Sequence, residues 1–499
     1  MRMTRGMIGA LAALLPLLAA PASQGQIAPA GSPQKQAPAT PGIPASPSPA
    51  ASATAAQRTA PPQIEKPGQI ATEGKNVVQE MAAGEFARVE AQYNAKMTAA
   101  LPAGNLEASW KNLVSQMGAL QNIIETHEGR VQGQGVATVV CKFEKMTMDA
   151  RIGFDADGKI AGIYFQPHQE PPPPWVAPGY AKPETFTEQA LTVVNGKYEM
   201  PGTMTMPKGE GPFPGVVLVH GSGPQDEDET IGPNKPFKDL AWGLASHGVA
   251  VLRYEKRTDK YGTEVSDDPN DLTVNDETIS DARAAVALLA SQPKIARGRV
   301  FLLGHSLGAY LAPRIAYGHP EIAGIVMLGA NTERIEQLIV EQLKYIASQT
   351  GTPSAAMQRE IDSAEAFAKQ VESPDLKQGD HVQLLGTDSP ASYWLDLRGY
   401  HPVETAELLK IPILVMQGGR DYQVPETNFE DWKAALTTHK NVTLRLYPDL
   451  NHMFMTGTGP STPKEYEKVG HVDEAVVSDV ATWIAGQPGA AAAPATNKK

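Results

Sequence analysis

The sequence contains Val300-Phe301-Leu302-Leu303-Gly304-His305-Ser306-Leu307-Gly308, and this stretch decides the fold. Its four leading apolar residues suit a short strand that is buried on both faces, and the residues that follow can continue as a helix. Ser306 then lies on a sharp bend between the two. Such a bend crowds the chain, so the residues two before and two after the serine must lack a Cβ atom, as Gly304 and Gly308 do. The pattern predicts an exposed serine nucleophile, with the amide of Leu307 facing the oxygen of a substrate carbonyl.

Gly-x-Ser-x-Gly is a short motif, so its meaning depends on partners elsewhere in the chain. A serine hydroxyl becomes a good nucleophile only beside a base that removes its proton, and that base needs an acid to orient it. An apolar run, Ile413 to Gln417, leads through a glycine turn to Asp421, and a second run, Val442 to Tyr447, leads to His452. The order Ser, Asp, His therefore predicts a triad of Ser306, Asp421 and His452 at one edge of a sheet.

Each member of this triad has a simpler alternative. Asp421 could cap the helix that follows it, and His452 could be an ordinary loop histidine. Asp449 is a rival acid, although its place three residues before the histidine favours a role in shaping the turn. His305 adjoins the serine, but the geometry of the bend should point it elsewhere.

A second oxyanion donor is expected after the strand Val216 to Val219, where the sequence continues His220-Gly221-Ser222-Gly223-Pro224. Small residues let backbone amides approach a substrate oxygen closely. We expect the amide of Ser222 to be this second donor, with the amide of Gly221 as the alternative. We expect the side chain of His220 to fix the loop.

Strand and helix patterns alternate from about residue 184 to 486, which predicts a mostly parallel α/β sheet. The sheet should open with a hairpin, Glu188 to Pro207, with turn signals at Asn195-Gly196 and Pro201-Gly202. Residues 331–402 interrupt the alternation and predict a helical lid. The aromatic candidates in the lid either face the pocket or pack the insertion onto the core; they are Tyr393, Trp394 and Tyr400.

Residues 73–170 predict a separate small α+β domain. Apolar residues from Val77 to Tyr93 recur at three- and four-residue steps, as in an amphipathic helix, and a second helix is expected from Leu106 to Met117. A two-residue alternation then predicts a strand up to Phe154, followed by a turn at Asp155-Ala156-Asp157-Gly158. This domain is a candidate for homo-oligomer formation.

The N-terminal residues predict where the protein is located in or outside the cell. Residues 1–22 combine Arg2 and Arg5, an apolar segment and small residues ending at Ala22, which predicts a cleaved signal peptide and export to the periplasm or medium, with an uncleaved anchor as the alternative. Residues 23–72 and 487–499 are rich in Pro and Ala, and we expect them to be disordered.

The net charge of −12 and the lack of basic blocks argue against nucleic acid as a partner. We expect no metal and no cofactor, and the single cysteine, Cys141, leaves no internal disulfide.

From about residue 188 to 485 the chain resembles α/β-hydrolases of the EstD-like carboxylesterase group, and residues 74–167 are similar to an uncharacterised domain that often precedes them. The matching motifs are 220–224, 228–237, Arg253-Tyr254-Glu255-Lys256-Arg257, 304–308 and the turns of Asp421 and His452. Glu255 stands where Asp is expected. The resemblance implies that the Ser306, Asp421 and His452 triad acts on carboxylic esters. A peptidase, amidase or thioesterase using the same machinery and an inactive binding protein are the alternatives.

Overall fold

The computed structural model describes residues 68–131, 134–168, 173–262, 264–349 and 351–488. The signal peptide predicted at 1–22, most of the linker predicted at 23–72 and most of the predicted tail lie outside these ranges. The described residues divide into two compact units, one before residue 170 and one after it.

The first unit packs helices against a four-stranded antiparallel sheet in the order β1-β2-β3-β4. Its elements are α1 (Gln69–Ala82), α2 (Phe86–Glu90), α3 (Ala95–Ala100), α4 (Asn105–Met117), β1 (Leu120–Val131), β2 (Gln134–Phe143), β3 (Thr147–Phe154) and β4 (Ile160–Pro167).

Helix α4, strand β3 and the turn after it lie where the sequence predicts. The single helix expected through Tyr93 is wrong, because α1 ends at Ala82, Gly84 has a left-handed φ of +81°, and a second short helix follows. Helix α1 begins inside the predicted linker, since Ile70 is buried in the core of this unit. The hairpin of β1 and β2 was not predicted.

The second unit is built on an eight-stranded sheet in the order β14-β13-β10-β9-β7-β8-β6-β5, in which β6 alone runs opposite to the other strands. Its strands are β5 (Phe186–Asn195), β6 (Tyr198–Pro207), β7 (Phe213–Val219), β8 (Ala250–Tyr254), β9 (Ile295–His305), β10 (Ile322–Leu328), β13 (Ile413–Gly418) and β14 (Val442–Tyr447), and the hairpin β11 (His381–Leu384) and β12 (Thr387–Pro390) lies apart from the sheet. The predicted fold class, a mostly parallel α/β sheet with a helical insertion, preceded by a small α+β domain, is confirmed.

Helices cover both faces of this sheet. They are α5 (Pro236–Ser246), α6 (Arg257–Tyr261), α7 (Ser280–Ala290), α8 (Leu307–Ala316), α9 (Ile335–Gln349), α10 (Ala355–Glu372), α11 (Ala391–Arg398), α12 (Pro402–Leu408), α13 (Glu426–Leu436) and α14 (Glu474–Gly486). Neighbouring strand residues alternate between two apolar cores: Val217 and Leu302 pack with α7 and α8, while Val216 and Phe301 pack with α5 and α14. Burial on both faces explains why these strands are continuous apolar runs.

One predicted turn is wrong. The hairpin of β5 and β6 turns at Asn195-Gly196, but Pro201-Gly202 lies inside β6. A Cβ atom on Gly202 would lie 2.5 Å from the carbonyl oxygen of Arg253 on β8. The glycine therefore permits two strands to approach closely, and it does not mark a turn.

The insertion between β10 and β13 consists of α9, α10, the β11–β12 hairpin, α11 and α12. Helix α9 packs on α10 and passes over the turn that follows β13, where Gln342 donates a hydrogen bond to the carbonyl of Gln423 at 2.8 Å. The insertion thus lies against the carboxyl ends of the strands, the edge at which sites form in parallel sheets.

Candidate active site

Ser306 occupies the bend between β9 and α8 with φ 53° and ψ −118°, a strained conformation for a residue with a side chain. It is half-buried, while its neighbours on both sides are buried. Two glycines make the bend possible: a Cβ atom on Gly304 would lie 2.2 Å from the oxygen of Gly308, and one on Gly308 would lie 2.2 Å from the oxygen of Val219. The amide of Ser306 donates to the carbonyl of Leu328, which ties the bend to the neighbouring strand.

Two backbone amides beside Ser306 are available to a ligand. Leu307 begins α8, so its amide has no helical acceptor and lies at the positive end of the helix. The loop after β7 passes the serine so closely that a Cβ atom on Gly221 would be 3.2 Å from the Cβ of Ser306. Within the described ranges, the amide of Ser222 has no hydrogen-bond partner.

The amide of Gly221, the alternative oxyanion donor, is already occupied by another acceptor. This amide donates to Oε1 of Glu229 at 2.7 Å, and both residues are buried. An amide held by a buried carboxylate is not free for a substrate oxygen.

Asp421 and His452 are brought together at the same edge of the sheet. The Nδ1 of His452 lies 2.7 Å from Oδ2 of Asp421, and both side chains are buried. Oδ1 of Asp421 accepts hydrogen bonds from the amides of Gln423 and Val424 at 2.8 and 2.9 Å. The carboxylate is therefore fixed, and its contact with Nδ1 favours the imidazole tautomer that carries the proton on Nδ1. The rival acid, Asp449, is exposed, and among the hydrogen bonds of the described residues none joins it to His452.

The pair lies beside the serine bend without a direct hydrogen bond to it. A Cβ atom on Gly329, which follows β10, would lie 3.2 Å from Nδ1 of His452. The rings of His305 and His452 have centroids 4.7 Å apart, and Nε2 of His305 donates to the carbonyl of His452 at 2.9 Å. Across the described residues, the Ser306 hydroxyl and His452 share no hydrogen bond.

His305 contacts a buried carboxylate. Its Nδ1 lies 3.0 Å from Oε2 of Glu229, and its Nε2 contacts a carbonyl oxygen, so both ring nitrogens face acceptors. Burial alone would lower the pKa of His305, but the Glu229 carboxylate outweighs burial and raises it. Burial likewise opposes ionisation of Glu229, and His305 overcomes this and lowers its pKa. The ion pair links the serine bend, the loop after β7 and the His452 turn.

His220 shows the opposite behaviour. It is buried, mainly beside apolar rings, and its Nε2 donates to the carbonyl of Asp226 at 2.9 Å. Burial lowers its pKa to about 4, so the ring is neutral at pH 7. This agrees with the prediction that His220 fixes the loop.

The aromatic candidates of the lid are buried, and Tyr400 also borders a surface cavity of about 510 Å³ next to Arg314 and Tyr317. Tyr393, Trp394 and Tyr400 are all buried within the core shared by the sheet and the insertion. Tyr393 donates to Glu277 at 2.7 Å, Trp394 to Ser389 at 2.8 Å and Tyr400 to the carbonyl of Tyr310 at 3.0 Å. These contacts favour packing of the insertion onto the core as the role of Tyr393 and Trp394.

A different part of the insertion reaches the acid turn. Tyr345 on α9 stacks on Tyr422, the residue after Asp421, with ring centroids 5.3 Å apart. Tyr422 also belongs to an apolar cluster that contains Met453, the residue after His452. Sequence reasoning missed these contacts because they join residues that are far apart in the chain.

Two kinds of feature are absent from the described parts of the chain, a metal-binding cluster and a membrane-spanning helix. There, no three His, Cys, Asp or Glu side chains are grouped so that they could hold a metal ion. No helix in those ranges combines the length and the apolar character needed to cross a membrane.

Comparison with known proteins places the chain in a family. Residues 216–469 match the model of the alpha/beta hydrolase family, and 390 residues, 78% of this chain, align with 40% identity to 89% of Esterase EstD from Thermotoga maritima. The chain belongs to the alpha/beta hydrolase family. Residues 74–163 match a family described as a protein of unknown function, DUF3887.

The solved structures that match this chain are more distant in sequence. Est1E from Butyrivibrio proteoclasticus is 16% identical, with a TM-score of 0.39 over 59% of this chain and 97% of that one. An esterase from Pyrococcus furiosus is 19% identical, with a TM-score of 0.38 over 57% of this chain and 90% of that one.

Proposed function

We propose that the protein is a serine hydrolase of the carboxylesterase type that cleaves small carboxylic esters through Ser306, His452 and Asp421. The observation that carries the proposal is the buried hydrogen bond between His452 and Asp421, beside a serine held in a strained bend. The 40% identity to Esterase EstD supports esters as the substrate class.

Each group has a role that follows from its surroundings. Asp421 holds the proton of His452 on Nδ1, so Nε2 can take the proton of the Ser306 hydroxyl as Oγ attacks the ester carbonyl. The amides of Leu307 and Ser222 stabilise the oxyanion. His452 then protonates the leaving alcohol, and water releases the acid from the acyl-enzyme by the same steps. The mechanism requires a hydrogen bond between the hydroxyl and the imidazole, a contact that many sites complete only with substrate bound.

The proposal is tested with purified protein and two p-nitrophenyl esters, acetate and butyrate. We expect wild-type protein to hydrolyse both, and a fluorophosphonate probe to label it in a peptide containing Ser306. Matched thioester and peptide substrates separate the alternatives, since all share the acyl chemistry and differ in the leaving group. Faster cleavage of peptides than of esters would replace esterase with peptidase, and failure of the probe to label Ser306 would contradict both.

Export is a separate proposal that depends on the first 22 residues. Their charged start, apolar segment and small residues at the end are typical of a cleaved signal peptide. N-terminal sequencing of the protein from cell fractions tests this. A periplasmic or secreted form beginning at Ser23 is expected, and a cytoplasmic form that keeps Met1 would contradict it.

A further inference from the structure

Lys256 is a buried lysine beside the proposed oxyanion site. It follows β8 and is 2% exposed, a rare state for lysine because an ammonium group loses its hydration there. Its Nζ lies 2.8 Å from Oε1 of Glu277 and donates to the carbonyl of Gly221 at 2.8 Å. The proposed mechanism gives this charge no role.

Glu277 is held in turn by a second element. It lies on a π-helical turn, Asn275–Ile279, an irregularity that often occurs at functional sites. Its Oε2 accepts the hydroxyl of Tyr393 from the insertion. The ammonium therefore has a fixed counter-ion, and its direction toward Gly221 is set by packing.

The contact with Gly221 acts on the amide of Ser222, because the carbonyl of Gly221 and the N–H of Ser222 belong to one peptide group. In a trans peptide these two point in opposite directions. A positive charge on the carbonyl oxygen fixes the plane of the peptide and draws electrons toward the oxygen, which makes the N–H a stronger donor. The amide of Gly221 is held by Glu229 on the other side. Two buried charges of opposite sign thus hold two successive peptide groups.

We infer that Lys256 is a positioning residue that aims and polarises the Ser222 amide toward the oxyanion. The inference rests on the proposed function, since it concerns the same site. It assigns Glu277 a supporting role, which is to keep the ammonium paired and in place.

The test compares Lys256→Met, Glu277→Gln and the double variant, each measured for kcat, KM, melting temperature and inhibition by a trifluoromethyl ketone. That inhibitor forms a tetrahedral oxyanion with the serine, so its Ki reports oxyanion binding. Loss of one direct oxyanion donor lowers kcat on the order of 10²–10³-fold, and we expect an indirect loss of roughly tenfold or more for Lys256→Met, with KM little changed and Ki raised by a similar factor.

The double variant separates positioning from stability. Each single variant leaves one charge buried without its partner and should lower the melting temperature, while the double variant removes both charges and should recover part of it. We expect kcat and Ki of the double variant to stay impaired, because the Gly221 carbonyl still lacks its donor. Recovery of kcat and Ki together with melting temperature would overturn the inference and leave Lys256 a structural role only.

Two controls keep the outcomes distinct. Lys235→Met removes a partly exposed lysine whose Nζ pairs with Asp228, and it should leave kcat and Ki unchanged. Wild-type ester hydrolysis that Ser306→Ala abolishes establishes the proposed function first. If the wild type is active and Lys256→Met keeps the kcat and Ki of the wild type, the positioning role is contradicted and the proposed function is not. A wild type that is inactive on all esters would contradict both the proposed function and the positioning role.

Discussion

Nδ1 of His452 lies 2.7 Å from Oδ2 of Asp421, although 31 residues separate them in the chain. Asp421→Asn would offer an amide in place of the carboxylate and favour the wrong tautomer of the imidazole. We expect kcat for p-nitrophenyl butyrate to fall on the order of 10⁴-fold, with little change in the melting temperature. The exposed Asp449 supplies the matched control, since Asp449→Asn should keep wild-type activity. Activity lost in Asp449→Asn and kept in Asp421→Asn would identify Asp449 as the acid.

Gly329→Ala should lower kcat, because the added Cβ atom would displace the side chains of His452 and Asp421 in addition to straining the backbone. Gly329 has φ +61°, and an added Cβ would press on Nδ1 of His452 and Oδ2 of Asp421 at 3.2 and 3.3 Å. Gly318 has φ +78° with no atom within 4 Å of that position, so Gly318→Ala carries the backbone strain alone. Both variants should lose about 1–2 kcal/mol of unfolding free energy from strain. Only Gly329→Ala should lower kcat, and equal kcat values in the two variants would show that the pair tolerates displacement.

Glu229→Gln should change how stability depends on pH. The raised pKa of His305 stabilises the fold, and this part of the unfolding free energy is complete below pH 6.5 and is lost as pH rises through the pKa of His305 in the folded protein. The lowered pKa of Glu229 also stabilises the fold, and this part is present above pH 4.5 and is lost as pH falls through the pKa of Glu229 in the folded protein. The difference in unfolding free energy between wild type and variant should therefore be largest between pH 4.5 and 6.5. Urea unfolding across pH 3 to 9 measures it, and a difference independent of pH would contradict the ion pair.

Tyr393→Phe tests whether Tyr393 packs the insertion or faces the substrate. The variant leaves Oε2 of Glu277 without its donor, so the unfolding free energy should fall by about 1–3 kcal/mol. Relative rates on p-nitrophenyl esters of increasing acyl length should match the wild-type profile. An altered profile with unchanged stability would place Tyr393 in the substrate pocket after all.

The sheet could be predicted because its central strands are buried on both faces and read as short apolar runs. Ile413–Gly418, whose residues are all buried, begins where it was expected, and β9, with the serine bend after it, could be placed from one motif. The turn expected at Pro201-Gly202 failed, because sequence alone does not show whether a glycine serves a turn or a close strand contact.

The residues that follow strands of the sheet could be predicted from the sequence, whereas the contacts of the charged residues in the loops could not. Asp421 and His452 could be found, because both follow apolar runs and the ends of parallel strands meet at one edge. Glu229 and Lys256 stood in motifs that carried the family resemblance, yet their contacts with Gly221 depend on loops folded together from distant positions. The catalytic roles of Ser306, Asp421 and His452 remain predictions.

The central claim is that Ser306 is the nucleophile of an esterase. The most direct measurement is the steady-state hydrolysis of p-nitrophenyl butyrate by wild type and by Ser306→Ala, with melting temperatures to confirm that both are folded. The account predicts clear turnover by wild type and a loss on the order of 10⁴-fold or more in kcat for the variant. Equal rates for the two folded proteins would contradict it.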